Sequence, residues 1–580
     1  MSEVLFVLPS NSPSISQECE GSLLLATILR QNGLDVDIYR FYEADTEKGF
    51  DSFTDETVNN ILSRTPSIVS FYCRCDCFLA DIKIAEKIKE KRPEIFIVFG
   101  GPQADAVRKD VITELDFVDY CCSGEGEETV YPLFSGLLNG EDITGIPGLT
   151  YRNAQGEVIC NPTVKLRTDL SDLPFVDYSF IPQETIDNMI RDNTMFPVEV
   201  GRGCPFNCAY CSTSMFWERK FRLKSAKRIV QEMVRLNKEY GVKRFHFQHD
   251  LFTANKKKVL EFCHELKESG LDVSWGCSSR IDTIDAEMID AMVDCGLIGV
   301  YFGIETGSPR MQKIINKNLD IQQVIDVCRI LCEKKVHITG SFMYGFPEET
   351  EEDIEQTLQL VYTLNKLGVK VFQYHLCAMF PGTEYYRKYR DELVFAEVYS
   401  DQVSDFGVKD NFEFISAHKN LFPFYYEYHS KLRDDFCHLT ECAAVCLFIY
   451  EQMMKLDNEK FSTIALTEVY KGFVEANKDV LDGMSIDDCF DNFAKLSETY
   501  LSTLYSEEDM KKLREILMVS DISNKMKRTK GDATEVMNFS VDISAYSQGK
   551  SLKDIGLAPS MVIFRKQGKE VTWVVRRMPG

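Results

Sequence analysis

At 580 residues the chain exceeds what one hydrophobic core can organise, so several domains are expected, and a formal net charge of −24 argues against a phosphate backbone as its partner. Its 44% hydrophobic and 27% charged residues are those of a globular protein, and no segment approaches the roughly 18 uninterrupted apolar residues of a membrane span. The opening MSEVLFVLPS has too short an apolar run and no basic leader for a signal peptide. A cytoplasmic chain is expected, whose 20 cysteines stay reduced and so draw attention to metal binding.

Residues 1–145 alternate short apolar runs (VLFVLP, VDIYRF, SIVSFY, EIFIVFGG, FVDYCC) with amphipathic helical stretches, which predicts an α/β, Rossmann-like parallel sheet. Turns at Pro9-Ser10, at Gly100-Gly101-Pro102 and at Gly124-Glu125-Gly126 fall at the carboxyl ends of strands, where doubly wound sheets bind ligands. A connector over 146–194 carries a hairpin signal, TYRNAQGEVICNP, and then the proline-rich LSDLPFVDYSFIP. From 195 to 410 six strand candidates (FPVEVG, RFHFQH, DVSWGC, IGVYFGIE, VHITGSFMY, VFQYHLCA) each precede or follow a helix-length segment. That pattern predicts a partial (β/α)6 barrel with its site at the strand carboxyl ends. Residues 411–580 read as a mainly helical domain with a small terminal β-hairpin turning at Gln567-Gly568.

The strongest motif follows directly on VEVGRG: Cys204, Cys208 and Cys211, spaced CxxxCxxC. Three thiolates from a short loop suit three corners of an iron–sulfur cluster and leave one iron open to a cosubstrate. Zinc is the competitor, but structural zinc is normally closed by four ligands. Cys73, Cys75 and Cys77, alternating past the third strand, and Cys121-Cys122 read as small thiols of the fold, and Cys442 and Cys446 as core. The run RKFRLKSAKR from Arg219 to Arg228 holds six cations; it reads either as a solvated helix start or as a patch, through Arg219, Lys220, Arg222 and Lys224, that steers an acidic redox partner.

With an aromatic before the third cysteine and the β/α setting, residues from about 195 to 395 resemble the radical S-adenosylmethionine (SAM) superfamily. The resemblance implies a [4Fe–4S] cluster on Cys204, Cys208 and Cys211. It also implies SAM chelated by the open iron and cleaved by one-electron reduction to methionine and a 5′-deoxyadenosyl radical. It gives Tyr210 the adenine-contact position and marks Asp250, Ser278, Arg280, Glu305 and Ser341 as cosubstrate contacts. Arg280 suits a carboxylate, and Glu305 an ammonium or a ribose hydroxyl. PGTEYY, from Pro381, resembles the segment closing that core.

Residues 1 to about 145, through VFGGPQADA and SGEGEETV, resemble the cobalamin (B12)-binding domain that precedes the core in the B12-dependent branch of this superfamily; a generic nucleotide-fold domain is the alternative. The resemblance implies cobalamin contacts from Pro9, Ser10, Tyr72, Arg74, Gly100, Gly101, Pro102, Gln103, Gly124, Glu125 and Gly126. All eight histidines lie at or after His246, so no imidazole from this domain can ligate cobalt, and Tyr72 or Arg74 would face its lower side.

The resemblance as a whole, to class B radical SAM methyltransferases, implies methylation of an unactivated carbon of a small molecule or peptide; the acidic redox partner that the basic run would steer to the cluster is a flavodoxin or ferredoxin. It marks no residue as catalytic. Cyclisation, rearrangement or peptide maturation use the same domains. A tRNA methylthiotransferase is disfavoured by acidity and by the lack of a basic tail domain, and a B12 sensor by the intact cysteines.

Overall fold

The computed structural model describes residues 3–10, 20–42, 49–396, 400, 403–481, 483–528, 531–567 and 570–577. Its first sheet contains β1 (Val4–Ser10), β2 (Val36–Tyr42), β3 (Ile68–Tyr72), β4 (Phe96–Gly100), β5 (Tyr120–Cys122), β6 (Leu149–Arg152) and β7 (Val158–Cys160), in the order β2-β1-β3-β4-β5-β6-β7. The first five are parallel, and their near-continuous apolar runs follow from cover on both faces. Val4, Phe6 and Leu8 join one core with helices Glu20–Gln31 and Val130–Asn139. Leu5 and Val7 join the other, with helices Phe50–Leu62, Phe78–Lys91 and Arg108–Glu114. The connector hairpin, β6 and β7, extends this sheet antiparallel at β5.

The second sheet is wholly parallel. β8 (Phe196–Glu199) begins it, the short β9 (Gly201–Arg202) and β10 (Arg222–Leu223) pair beside it, and β11 (Arg244–Gln248), β12 (Ser274–Ser279), β13 (Leu297–Glu305), β14 (His337–Tyr344) and β15 (Val371–Leu376) continue it. The order β15-β14-β13-β12-β11-β8 is the open six-stranded barrel that the sequence predicts. Along its strands Phe245, Phe247, Trp275, Cys277, Val300, Phe302 and Phe342 are buried in the core formed with the helices. The alternate row, with His246, Gln248, Ser278, Tyr301 and Met343, stays half-buried on the inner face.

After the barrel the chain returns to the first sheet. Phe406 packs on Phe50 and Phe53 with ring centroids 5.2 and 5.3 Å apart, and Phe422 lies 5.9 Å from Phe78. β16 (Leu393–Phe395) and β17 (Tyr426–Tyr428) pair there. Helices Leu439–Leu456, Leu466–Leu481, Phe493–Leu501 and Glu507–Arg528 follow, with Cys442 and Cys446 in their core.

The terminal hairpin, β19 (Ser560–Gln567) and β20 (Glu570–Arg577), is part of a larger unit. β18 (Ala533–Phe539) adds a third antiparallel strand, and the turn at Gly568 lies outside the described residues. β18 is hard to read because only Phe539 of its seven residues is buried. Cys73, Cys75 and Cys77 follow β3. They form a turn ahead of helix Phe78–Lys91 and do not continue the strand, so their alternation in sequence puts them on no common strand face. Among the described residues, no helix is long and apolar enough to cross a membrane.

Candidate cluster and cofactor site

Cys204, Cys208 and Cys211 lie on one loop hung between β9 and β10, whose antiparallel pairing makes residues 203–221 leave and return at one point on the barrel rim. Gly203 has φ +85°, and a Cβ there would overlap the Lys220 carbonyl oxygen, so glycine is what lets the loop start this close to its own return. Its N–H donates to Asp250 Oδ2 at 2.8 Å, fixing the residue ahead of Cys204. Cys211 N–H donates to Cys208 O at 3.2 Å and closes the turn between the last two thiols.

All three thiols are half-buried. Burial pushes Cys204 up to about 11, against a lowering bond from the Phe206 backbone, and raises Cys211 against Ser214 and Thr213. Thiols so placed become thiolates when a metal takes the proton's place. Among the described residues no three His, Cys, Asp or Glu side chains converge on a point that would hold one ion. Ligands on three corners of a cuboidal cluster stand farther apart than ligands of a single zinc, so this donor set fits the cluster better than zinc.

Arg280 reaches the loop from the end of β12. Its Nη1 lies 3.5 Å from Cys208 Sγ and its guanidinium sits 3.7 Å over the Phe206 ring. Asp282 accepts from Nε and Nη2 at 2.9 and 2.8 Å, and the Lys317 carbonyl accepts from Nη2 at 2.9 Å. Glu305 ends β13 beyond a register shift and has φ +69°, a left-handed conformation unusual for glutamate. Lys317 Nζ donates to Glu305 Oε1 at 2.7 Å and to the Tyr210 hydroxyl at 3.3 Å. Burial, and then the Glu305 carboxylate, raise the Tyr210 hydroxyl well above its ordinary value.

Lys317 is the residue that the sequence reading misses. It stands between Asn316 and Asn318, both at positive φ, a conformation asparagine tolerates, so Asn-Lys-Asn was the available signal. Asn316 Nδ2 donates to Asn207 O at 2.7 Å and Ala209 N–H donates to Ile315 O at 3.0 Å, tying this turn to the thiol loop. The segment after Pro381 reaches the same loop through Tyr385 N–H, which donates to Ala209 O at 3.1 Å.

The structure thus brings Tyr210, Arg280, Glu305 and Asp250 to the thiol loop or its neighbours. Ser278 lies on the inner row of β12, and Ser341 pairs with Gly303 and Gln373 in the middle of β14. His249, beside Asp250, is spent structurally. Its Nδ1 accepts from Leu251 N–H at 2.8 Å and its Nε2 meets Arg222 O at 3.3 Å, while burial lowers it to about 4.

In the first sheet, the order β2-β1-β3 puts the topological switch point between β1 and β3, the crevice where such sheets take ligands. Gly101 has φ +92°, with its Cα so close to Tyr72 that a Cβ would lie 2.9 Å from that ring. Gly100 opens on space, its nearest neighbour to a Cβ being 4.0 Å away, and Pro102 starts the short helix Pro102–Ala106. Gln103 N–H donates to Cys73 O at 3.1 Å and its Nε2 to Leu421 O at 3.2 Å. Arg74 binds Asp76 through Nε and Nη2 at 3.1 and 2.6 Å. Burial pushes the Cys75 thiol up to about 12. Pro9 and Ser10 end β1, with side chains outside the described residues. Gly124 and Gly126 flank Glu125, whose carboxylate is engaged by Arg202 and Arg222 of the barrel domain. A glycine-rich crevice without imidazole fits a cobalamin that takes no histidine ligand from this domain.

The basic run divides. Arg219 and Lys220 are exposed, whereas Arg222 is buried on Glu125 and Lys224 is bonded to Glu199. A surface patch using all four is therefore ruled out, because two of its cations are spent inside the fold.

Two family models match the chain, "B12 binding domain" over residues 21–133 and "Radical SAM superfamily" over residues 198–361. The chain is 36% identical over 302 residues to an uncharacterized methyltransferase of Pyrococcus horikoshii, covering 52% of this chain and 64% of that one. It is 28% identical over 320 residues to the anaerobic magnesium-protoporphyrin IX monomethyl ester cyclase of Rubrivivax gelatinosus, covering 54% and 57%. The match thus spans less than two thirds of either relative. The solved structure of OxsB, a cobalamin-dependent S-adenosylmethionine radical enzyme with aqua-cobalamin and SAM bound, shares the fold at TM-score 0.61 and 14% identity, over 91% of this chain and 82% of that one. The paired domains imply a [4Fe–4S] cluster, SAM and cobalamin as cofactors. The chain thus joins a B12-binding domain to a radical SAM domain.

Proposed function

We propose that the chain methylates an unactivated carbon of a small molecule or peptide. One observation carries this reading: the turn after β5, at the ligand-binding edge of the first sheet, touches the two short strands that bracket the thiol loop. Two cofactor sites that meet in this way suit a reaction needing both. When bound, SAM at the cluster supplies a 5′-deoxyadenosyl radical and cobalamin supplies a methyl carrier.

The chain's own residues hold and enclose the reactants. Arg280 suits the SAM carboxylate, and Glu305 its ammonium or a ribose hydroxyl, with Tyr210 at the adenine. Tyr210 packs edge-on against Phe346 at 6.1 Å, apolar cover that keeps water from a radical site. Ser278, on the inner row of β12, gives the barrel interior a hydrogen-bonding group for a polar substrate. Electrons would arrive from flavodoxin or ferredoxin past Arg219, Lys220 and Lys227, in a reducing cytoplasm.

The likeness to a cyclase favours a second reading, oxidative cyclisation without methyl transfer. SAM carrying a deuterated methyl group separates the two. A product that gains the label supports methylation, a product that loses hydrogen and gains no label supports cyclisation, and no product with any candidate that nonetheless triggers SAM cleavage counts against both.

A further inference from the structure

Arg202 and Arg222 stand directly opposite each other across the β9–β10 pair, an arrangement of like charges that is unfavourable alone. One oxygen atom is shared by both. Nη1 of each arginine donates to the same Oε1 of Glu125 at 2.7 Å. The other oxygen, Oε2, accepts from Arg167 N–H at 2.7 Å, and the Arg167 carbonyl accepts from Arg222 at 2.9 Å. Arg202 also bonds Glu127 at 2.6 Å and Glu199 at 3.0 Å. The Glu125 side chain is 1% exposed and the two arginine side chains 6% each, so little water competes.

The geometry makes this more than a stitch between domains. β9 and β10 are the two ends of the thiol loop, and Arg202 lies two residues before Cys204. Glu125 lies in the turn between Gly124, at φ +78°, and Gly126, at the carboxyl end of β5. We propose that Glu125 is a positioning residue that sets the spacing between cluster and cobalamin, its carboxylate tying both ends of the thiol loop to the cobalamin-binding turn while Glu127 holds Arg202 alone. The proposal rests on both cofactors binding as read above.

The test uses the full chain, reconstituted anaerobically with iron, sulfide and hydroxocobalamin and reduced with dithionite. Electron paramagnetic resonance then reads the magnetic interaction between Co(II) and the reduced cluster. In Glu125→Gln, which keeps the side-chain shape, that interaction is expected to weaken towards the signals of isolated centres. Hydrogen exchange at the amides of 124–127 and 201–204 should rise together. Arg222→Met, which cuts one tie only, should give the same change in smaller degree and decides the matter if Glu125→Gln does not fold. Asp353→Asn, at a carboxylate 4% exposed that pairs with the half-exposed Arg310, should lower stability and leave the interaction unchanged, separating positioning from general loosening. Both cofactors bound with wild-type interaction in Glu125→Gln and Arg222→Met would overturn the proposal. A wild-type chain that holds no cobalt would instead sink the functional reading.

Discussion

Lys317 Nζ stands 2.7 Å from Glu305 Oε1, with the two side chains 6% and 8% exposed, at the point where the register of β13 and β14 slips. A carboxylate held in the left-handed region and paired with a buried lysine is a strained, fixed charge, as the proposed SAM contact requires.

Replacing Lys317 with Met leaves Glu305 buried without its cation. Loss of one charge-assisted bond, about 1.5–3 kcal/mol, should weaken SAM binding roughly 10- to 100-fold. The measurement is the KM for SAM in 5′-deoxyadenosine formation, taken alongside iron content. Iron falling in parallel would mean that Lys317 only supports the loop.

Arg280 offers a separate handle on the cluster. A cationic donor 3.5 Å from Cys208 Sγ stabilises added negative charge, so its removal should make the cluster harder to reduce. Redox titration of Arg280→Met should give a potential more negative by tens of millivolts, on the order expected for an outer donor to a cluster sulfur. An unchanged potential would show that the contact does not reach the iron.

Much of this was legible from local pattern. The parallel strands, the partial barrel and the thiol loop follow from apolar runs, glycine turns and cysteine spacing, each a property of a few neighbouring residues. What was not legible depends on distant partners. Arg222 and Lys224 look like surface cations in RKFRLKSAKR, yet Arg222 is buried and Lys224 half-buried because Glu125 and Glu199 wait for them on other elements. Lys317 reads as a solvated turn residue until β13 brings Glu305 beside it. β18 is nearly all exposed, so it offers no periodic signal.

The surviving exposed cations support a narrower docking prediction. Arg219→Glu with Lys220→Glu should slow reduction by flavodoxin, and the wild-type rate should fall as salt rises while the variant's rate changes little. Equal rates and equal salt dependence would remove the loop from electron delivery.

Stability should depend on pH through Glu349. Burial pushes this carboxyl up to about 8, against the Gly345 N–H that donates to Oε2 at 2.6 Å. The folded chain then keeps a proton that the unfolded chain gives up near its ordinary value of 4.5. The stabilisation is full below that value and is lost as pH rises towards about 8. Glu20, raised to about 7 by burial, adds the same sign over part of that window. Glu349→Gln should flatten the fall in unfolding free energy, measured by denaturant titration, between about pH 5 and pH 8, by an amount on the order of a few kcal/mol. Parallel slopes for variant and wild type would contradict this.

The central claim, methyl transfer by one chain that uses a radical SAM core and a cobalamin domain together, is tested most directly by the fate of SAM itself. Anaerobic reconstituted protein is incubated with SAM and reductant, with and without hydroxocobalamin, and the adenosyl products are separated by mass spectrometry. The account predicts 5′-deoxyadenosine in both samples and S-adenosylhomocysteine only with cobalamin, with Cys208→Ser forming no 5′-deoxyadenosine. Wild-type protein that forms no 5′-deoxyadenosine, or that forms it with no S-adenosylhomocysteine at any cobalamin concentration, would contradict it.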